Sequence, residues 1–476
     1  DLHSFPTRRS SDLHIGITED ELELHSVKAG YTQDWGRIEA IATYYKRQSD
    51  FRHPADAAGE VLSRGTRPAD STGRSVLHTT EDREVTSQEL RFTSSWQSPF
   101  EVVVGGYRQS TDVYGRTTFN QTNPITGTIL ADSEIFLDRD GTSTLDELAF
   151  YGELTWNITD RLSATAGARY FEFEYDQQAT SLAGLFGAPA GGPGPLLKFE
   201  ESGTIYKGAL NYTLSDDSMV YASVSEGFRP GGAQDPVRFG GLITVPAGYE
   251  SDSVVNYEVG FKNSWLANRL VTRAALFNID WTNMQTERAI VDAGTGLRTI
   301  YIGNAGKALV RGVELEVLAQ PTNELSMNVS MSYLTDAQLE ESFPVATDGL
   351  KGDWMPFVPE FTASAQIGYE TPLPLPSAPT GSVRLEYTYT GETREMFRPT
   401  QLFYREINSY SIVNLRFGLR TGDWDGSLSV ENLLDEDETI AYTVDFAGPR
   451  PAGGNIPDSL YRPWPRSVVL SLRRSF

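Results

Sequence analysis

The sequence predicts an all-β chain, the wall of a transmembrane, antiparallel, up-and-down β-barrel. Three observations carry this. Polar and apolar residues alternate over long segments, as at Leu325, Met327, Val329, Met331 and Tyr333, interleaved with Ser326, Asn328, Ser330 and Ser332. Val383, Leu385, Tyr387 and Tyr389 alternate in the same way with Ser382, Arg384, Glu386 and Thr388. A period of two puts the two sets on opposite faces of a strand. The segments run to about 10–14 residues, beyond the roughly 5–6 of soluble strands and enough for a tilted bilayer crossing. Their connections alternate between very short and very long, the habit of barrels with tight inner turns and long external loops.

Taken in order, the short connections fall near 34–36, 97–99, 159–161, 215–217, 267–268, 321–323 and 421–423, with a longer Pro-rich one at 371–380. Long connections are expected near 51–84, 113–146, 179–200, 231–252, 288–305, 338–358, 397–407 and 434–464. Residues Gly191-Gly192-Pro193-Gly194-Pro195 exclude a regular strand from the third of these. Trp35, Trp96, Trp156, Trp265 and Trp424 lie beside short turns, whereas Trp281, Trp354 and Trp464 lie toward the long-loop side. Indole favours membrane interfaces, where its ring is buried and its N–H stays wet, so the first group reads as a girdle. About 17 strands result. An odd number leaves an unclosed wall, because bacterial barrels have even counts and lipid does not tolerate unpaired edges.

Composition agrees. The 476 residues include 23 Phe, 22 Tyr and 8 Trp, with 43 Gly for turns. No run of 18 apolar residues exists, which excludes helical spans and leaves a barrel open. Without cysteine there is no disulfide, thiolate metal site or cysteine nucleophile. A net charge of −24 argues against nucleic acid as a partner. No secretory leader is visible. Residues 1–13 (DLHSFPTRRSSDL) fit no barrel pattern and resemble translated sequencing-adapter read-through, so the native chain is expected to begin near His14, with upstream parts lost.

Several stretches resemble the TonB-dependent outer-membrane receptors. Thr86–Ser94 (TSQELRFTS) is similar to one of their strands, and 150–156 (FYGELTW) with Asp160-Arg161-Leu162 and Gly167-Ala168-Arg169-Tyr170 to the next hairpin. Residues 220–231 (VYASVSEGFRPG), 256–262 (NYEVGFK), 274–277 (AALF), 304–307 (NAGK), 311–316 (RGVELE), 431–435 (ENLLD) and the terminal 468–476 continue the resemblance in order. It spans residues 20–476. It implies a barrel of the 22-stranded plugged class, so about five strands, the plug and the TonB box are missing from this chain. It further implies a monomer in outer-membrane lipid that works with the TonB-ExbB-ExbD complex and is inserted by the barrel-assembly machinery. Leu470, Leu472 and Phe476 would form the assembly signal. One departure is Arg474, where the family usually has an aromatic residue.

Glu89, Arg91, Glu153, Arg169, Glu258, Lys262, Glu314, Glu316, Arg384, Glu386 and Arg416 sit mid-strand. A lipid-facing Arg or Lys at the midplane costs roughly 2–4 kcal/mol, so they are assigned to the lumen, where they pair with one another and hold the plug. Solute contacts are expected at the external mouth: Tyr107, Arg108, Tyr114 and Arg116 in one loop, Phe228 and Arg229 in another, and Trp354, Phe357, Phe403 and Tyr404 in others. Aromatic rings beside arginines suit an anionic ferric complex with catecholate or apolar faces, although each residue also fits a packing role. Asp138-Arg139-Asp140-Gly141 with Glu147 partly mimics a calcium-loop spacing, but Phe136 stands at its first ligand position, and a solvated loop is expected.

All five histidines precede residue 79, and only His53 and His78 are placed to serve a hydrolase in the first long loop. The expectation is therefore a non-enzymatic importer without a resident cofactor or metal, carrying an iron–siderophore complex. Cobalamin, nickel complexes or oligosaccharides are alternative cargoes, and a passive porin is the alternative mechanism.

Overall fold

The computed structural model describes residues 17–54, 74–122, 129, 137–183, 192–234, 236–238, 243–291, 298–343, 349–401, 404–443 and 459–475. The unusual opening, residues 1–13, and the expected start at His14 lie outside the described residues, as do Phe403 and Phe476. Seventeen strands of eight or more residues succeed one another without a helix among the described residues. They are β1 (Ile17–Gln33), β2 (Gly36–Pro54), β3 (Arg74–Ser94), β4 (Phe100–Thr122), β5 (Leu137–Asn157) and β6 (Leu162–Ala183). Next come β7 (Leu197–Ser215), β8 (Ser218–Arg229), β9 (Asp252–Trp265), β10 (Leu270–Val291), β11 (Arg298–Ala319) and β12 (Leu325–Leu339). The series ends with β13 (Phe361–Pro372), β14 (Thr380–Thr390), β15 (Tyr410–Thr421), β16 (Trp424–Glu431) and β17 (Ser467–Arg474). Each pairs antiparallel with its predecessor and successor, so one meander runs from β1 to β17. Among the described residues no pairing joins β1 to β17.

The period of two expected from the sequence is realised as two chemically different faces. On β5, Leu148, Phe150, Leu154 and Trp156 are exposed on one face, with Ala149, Tyr151, Glu153 and Thr155 on the other. Cross-strand partners keep the phase: Val104 and Gly152 share a row, as do Leu90, Gly106, Phe150 and Tyr170. The apolar face continues through the exposed Leu210, Val259, Leu276, Val313, Leu385, Phe417, Leu428 and Leu470. From Leu148 to Trp156 the apolar stretch spans about 27 Å along the strand, close to the roughly 25 Å apolar band of outer-membrane barrels. Above Leu148 the same face turns polar at Asp146 and Thr144. Exposed large apolar side chains in this density need a non-aqueous neighbour, and a bilayer supplies one.

The girdle at the short turns is present. Phe92 stacks between Trp35 and Trp96 at centroid distances of 5.8 and 6.0 Å, and Phe100 lies 6.0 Å from Trp156. Trp96 Nε1 donates to the Phe100 carbonyl at 2.8 Å, and Trp265 Nε1 to Thr272 Oγ1 at 3.1 Å. One tight turn takes three successive left-handed residues, Leu266, Ala267 and Asn268, with φ of 55, 54 and 66°. Another uses Gly422 at 52°, where glycine carries no Cβ penalty.

The strands are longer than the sequence led us to expect. β4 has 23 residues, about 75 Å of extended chain, far beyond a bilayer. Parts of the connections expected at 51–84, 113–146 and 288–305 are strand: β2 runs to Pro54 and β3 starts at Arg74, β4 runs to Thr122 and β5 starts at Leu137, and β10 runs to Val291 and β11 starts at Arg298. Above the apolar band both faces meet water, so the side-chain alternation that marks a strand disappears while the backbone ladder continues. Cross-strand polar pairs hold that upper sheet: Lys46 with Glu84 at 3.1 Å, Arg47 with Asp20, and Thr79 with Thr117 at 3.3 Å. The calcium-like segment is part of this extension. Asp138 to Gly141 lie in β5 rather than in a loop, with Asp138 ion-paired to Arg116 at 2.7 Å.

Candidate functional site: the polar face and the loop-bearing rim

The polar face carries several groups of ion pairs and hydrogen-bonded charges. Glu39, 7% exposed, receives Lys28, Arg37 and Arg91, each at 2.8 Å. Glu89 accepts from the Tyr151 hydroxyl and lies 4.0 Å from Arg91. Arg169 pairs with Glu147 while its guanidinium stands 5.6 Å from the Tyr107 ring centroid. Glu153 pairs with Lys207, and Glu316 with Arg273. Glu258 accepts from the Tyr221 hydroxyl at 2.6 Å, and Lys262 covers the Tyr221 ring at 5.1 Å. Glu314 lines the same hollow in the wall. Arg384 and Arg416 are direct cross-strand partners, and Arg416 donates to Ser427 Oγ at 3.1 Å. Every charged residue assigned from sequence to the lumen thus lies opposite the apolar band, and Glu89, Arg91, Glu153, Arg169 and Glu316 are ion-paired there.

At the long-connection end, three segments are tied to the wall. Residues 230–251 fold back through two short pairings, Gly232–Ala233 with Gly248–Tyr249 and Val237–Arg238 with Ile243–Thr244. Ile243 and Val245 bury against Ile290 and Tyr301, and Gln234 both donates to and accepts from the Ile302 peptide, at 2.8 and 3.1 Å. Residues 340–360 and 391–409 meet around Leu339, Phe343, Met355 and Phe397, packed on Met284, Ala305 and Ala308. Phe343 and Phe397 are edge-to-face at 5.2 Å. Burial raises the Tyr249 phenol above its ordinary range, helped by Tyr175 and opposed by Arg229. Burial, then the hydrogen bond to Glu406, raises Tyr404.

Asp252 is the centre of this rim. It is 2% exposed and accepts from Arg229 Nε at 3.1 Å, Trp281 Nε1 at 2.9 Å and the Gln285 amide at 2.9 Å, with Arg229 Nη2 completing the set. The Arg229 guanidinium also lies 4.9 Å from the Trp281 ring centroid. Gln285 Nε2 donates to the carbonyls of Pro230 and Glu250, and Asn304 binds Glu250 through both its peptide groups. Asn283, with φ of 55°, and Gly306 opposite it, with φ of 30°, drop out of the β10–β11 ladder together, and pairing resumes in the same register at Met284 and Ala305. Sequence reasoning missed Asp252, Gln285 and Asn304. Asp252 looked like a loop residue, and only its place beside the apolar-polar alternation of 253–261 marked it as the first residue of a strand.

The expected solute contacts fall in several places. Tyr107, Arg108, Tyr114 and Arg116 belong to β4 rather than a loop, and they divide between faces. Tyr107 lies on the polar face, its hydroxyl 2.6 Å from Gln109 Oε1. Arg108, Tyr114 and Arg116 lie on the opposite face, with Arg116 held by Asp138. Phe228 and Arg229 end β8. Pairing of β7 with β8 stops at Lys207–Ser225, and beyond that gap the Phe228 ring stacks 3.8 Å from Phe171, beside Phe173 and Phe199. Trp354 donates to the Val358 carbonyl at 2.8 Å, while Phe357 stands 60% exposed at φ 59°. Tyr404 donates to Glu406 at 2.8 Å.

The histidines make no hydrolase pairing among the described residues. His78 lies in β3, bonded to Asp50 at 2.9 Å, and His25 stacks with Tyr44. Leu470 and Leu472 are exposed on the apolar face of β17, and Arg474 lies 5.3 Å from the Trp424 ring.

Comparison with known proteins agrees with this architecture. The pesticin receptor of Yersinia pestis is 28% identical over 283 residues, 59% of this chain and 37% of its own length. The ferripyoverdine receptor of Pseudomonas aeruginosa is 29% identical over 174 residues, 36% of this chain and 18% of its own. Among solved structures, the ferric yersiniabactin uptake receptor FyuA from Yersinia pestis superposes with a TM-score of 0.73 at 19% identity, covering 97% of this chain and 62% of that one. The siderophore receptor PiuA from Acinetobacter baumannii gives 0.69 at 16% identity, covering 97% and 65%. The chain therefore spans little more than a third of the length of the pesticin receptor. The family profile described as TonB dependent receptor-like, beta-barrel, matches residues 4–433. The chain belongs to this family of receptor-like β-barrels.

Proposed function

We propose that this chain is the barrel wall of a receptor that imports a ferric siderophore across a Gram-negative outer membrane, energised by the TonB-ExbB-ExbD complex. The observation that carries the reading is the division of one meander into an apolar band of bilayer height and an ion-paired polar face. Relatives named as pesticin and ferripyoverdine receptors favour an iron-chelate cargo over cobalamin or an oligosaccharide. In this reading the polar face surrounds a plug domain, and its ion pairs keep lumen charges neutral when the plug moves. Trp354, Phe357 and Tyr404, on the tied segments of the rim, offer aromatic surface to the solute. Arg229 serves a different purpose, because its guanidinium is committed to Asp252.

The test is radioiron uptake by iron-starved cells producing the full-length receptor. Accumulation that requires both the receptor and a charged inner membrane supports the reading. Uptake that persists after the proton-motive force is collapsed would instead identify a passive channel.

A further inference from the structure

The apolar face carries a groove with a cation at its upper end. Small residues Ala29, Ala40, Ala42 and Gly106 line it, the exposed Leu90 rises between Ala40 and Gly106, and Phe92 and Phe150 flank it. Register places these together: Ala29 opposes Ala40, Ala40 opposes Leu90, and Leu90 opposes Gly106. One row above, Gln88, Arg108 and Leu148 are successive cross-strand partners. Leu148 is the last apolar residue of its strand on this face, so Arg108 stands at the upper limit of the band. Its side chain is exposed and forms no ion pair among the described residues. Two acids share this face nearby: Asp146, diagonal to Arg108 on the next strand at about 7–8 Å, and Glu172, two strands away across Leu148 at about 10 Å, and Arg108 is ion-paired to neither.

An unpaired guanidinium at the level where lipid headgroups begin, above a trough wide enough for hydrocarbon, matches one kind of neighbour. Arginine recognises phosphate with a planar pair of donors, and an exposed cation at a membrane surface attracts anionic headgroups. We propose that Arg108 and the groove below it hold a phosphorylated outer-leaflet lipid, with the phosphate on Arg108 and Gln88 and one acyl chain along Ala40 and Gly106. This rests on the outer-membrane reading above. Gln88 supplies an amide donor beside the guanidinium, and Phe150 flanks the chain.

Native mass spectrometry of the full-length receptor, purified in detergent and given bisphosphorylated lipid A, its dephosphorylated form or phosphatidylcholine, tests this. The phosphorylated lipid is expected to stay bound, with at least fivefold less retained by Arg108→Ala and by Ala42→Phe, which fills the trough. Arg108→Lys should keep most of it. Equal retention of the dephosphorylated lipid, or unchanged retention by Arg108→Ala, overturns the proposal. Heat-modifiable gel mobility and membrane flotation are read on the same samples. A folded, membrane-borne barrel without lipid preference removes the groove alone, whereas a protein that never enters membranes removes both readings.

Discussion

Arg229 and Asp252 face each other as register partners across β8 and β9, and the buried Asp252 carboxylate gathers donors from both neighbouring strands, Arg229 of β8 and Trp281 and Gln285 of β10. Through Gln285 and Asn304 the same knot fixes both ends of the 230–251 segment to the wall. An arginine that the sequence offers as a solute contact is thus a structural tie.

Asp252→Asn should loosen this tie. The change leaves Arg229 without its counter-charge and keeps only part of the acceptor capacity, for a loss of about 1–3 kcal/mol, reduced because Arg229 is half exposed. Limited proteolysis within 230–251 should become several-fold faster while the barrel keeps its heat-modifiable mobility. Arg229→Gln should behave alike.

Leu339→Ala should uncouple the other two segments. Leu339 is 1% exposed at the junction of 340–360 with 391–409, and truncation in such a core costs about 2–5 kcal/mol. Denaturation followed by fluorescence of Trp354 should show an earlier local transition than the loss of strand signal.

Adjacent residues of β5 should respond oppositely to the same substitution. Leu154→Arg places a cation in the apolar band between the midplane, where it would cost roughly 2–4 kcal/mol, and the Trp156 interface, so a cost of about 1–3 kcal/mol is expected. Thr155→Arg points the other way, where Thr155 meets Thr165 Oγ1 at 2.9 Å, and should cost under about 1 kcal/mol. Urea titration of folding into lipid vesicles separates the two.

Aromatic contacts on the rim are expected to affect uptake and not folding. Phe357→Ala removes an exposed ring that packs little, so barrel stability should be unchanged. Iron uptake at low siderophore concentration should fall several-fold, as for the loss of an aromatic anchor.

The sequence made the band, the short turns and the tryptophan girdle legible, because lipid imposes alternation and interfaces select indole. Trp35, Trp96, Trp156, Trp265 and Trp424 all stand half exposed at the turns they flank. Strand ends were not legible. Above Leu148, residues such as Asp146, Thr144 and Thr142 face water on one side and polar neighbours on the other, so nothing in their pattern distinguishes ladder from loop. That is why Arg108, Tyr114 and Arg116 read as a loop and are strand. Arg229 was ambiguous for another reason: its partner lies 23 residues away, and pairing over that distance is set by register.

The central claim is that lipid touches one face of this sheet and not the other. The chain has no cysteine, so single cysteines placed from 148 to 155 along β5 can each carry a spin label without background. In proteoliposomes, labels at 148, 150 and 154 should be relaxed by oxygen dissolved in the bilayer, and those at 149, 151 and 153 should not. A flat profile, or relaxation by a water-soluble agent at 150 and 154, would contradict the account.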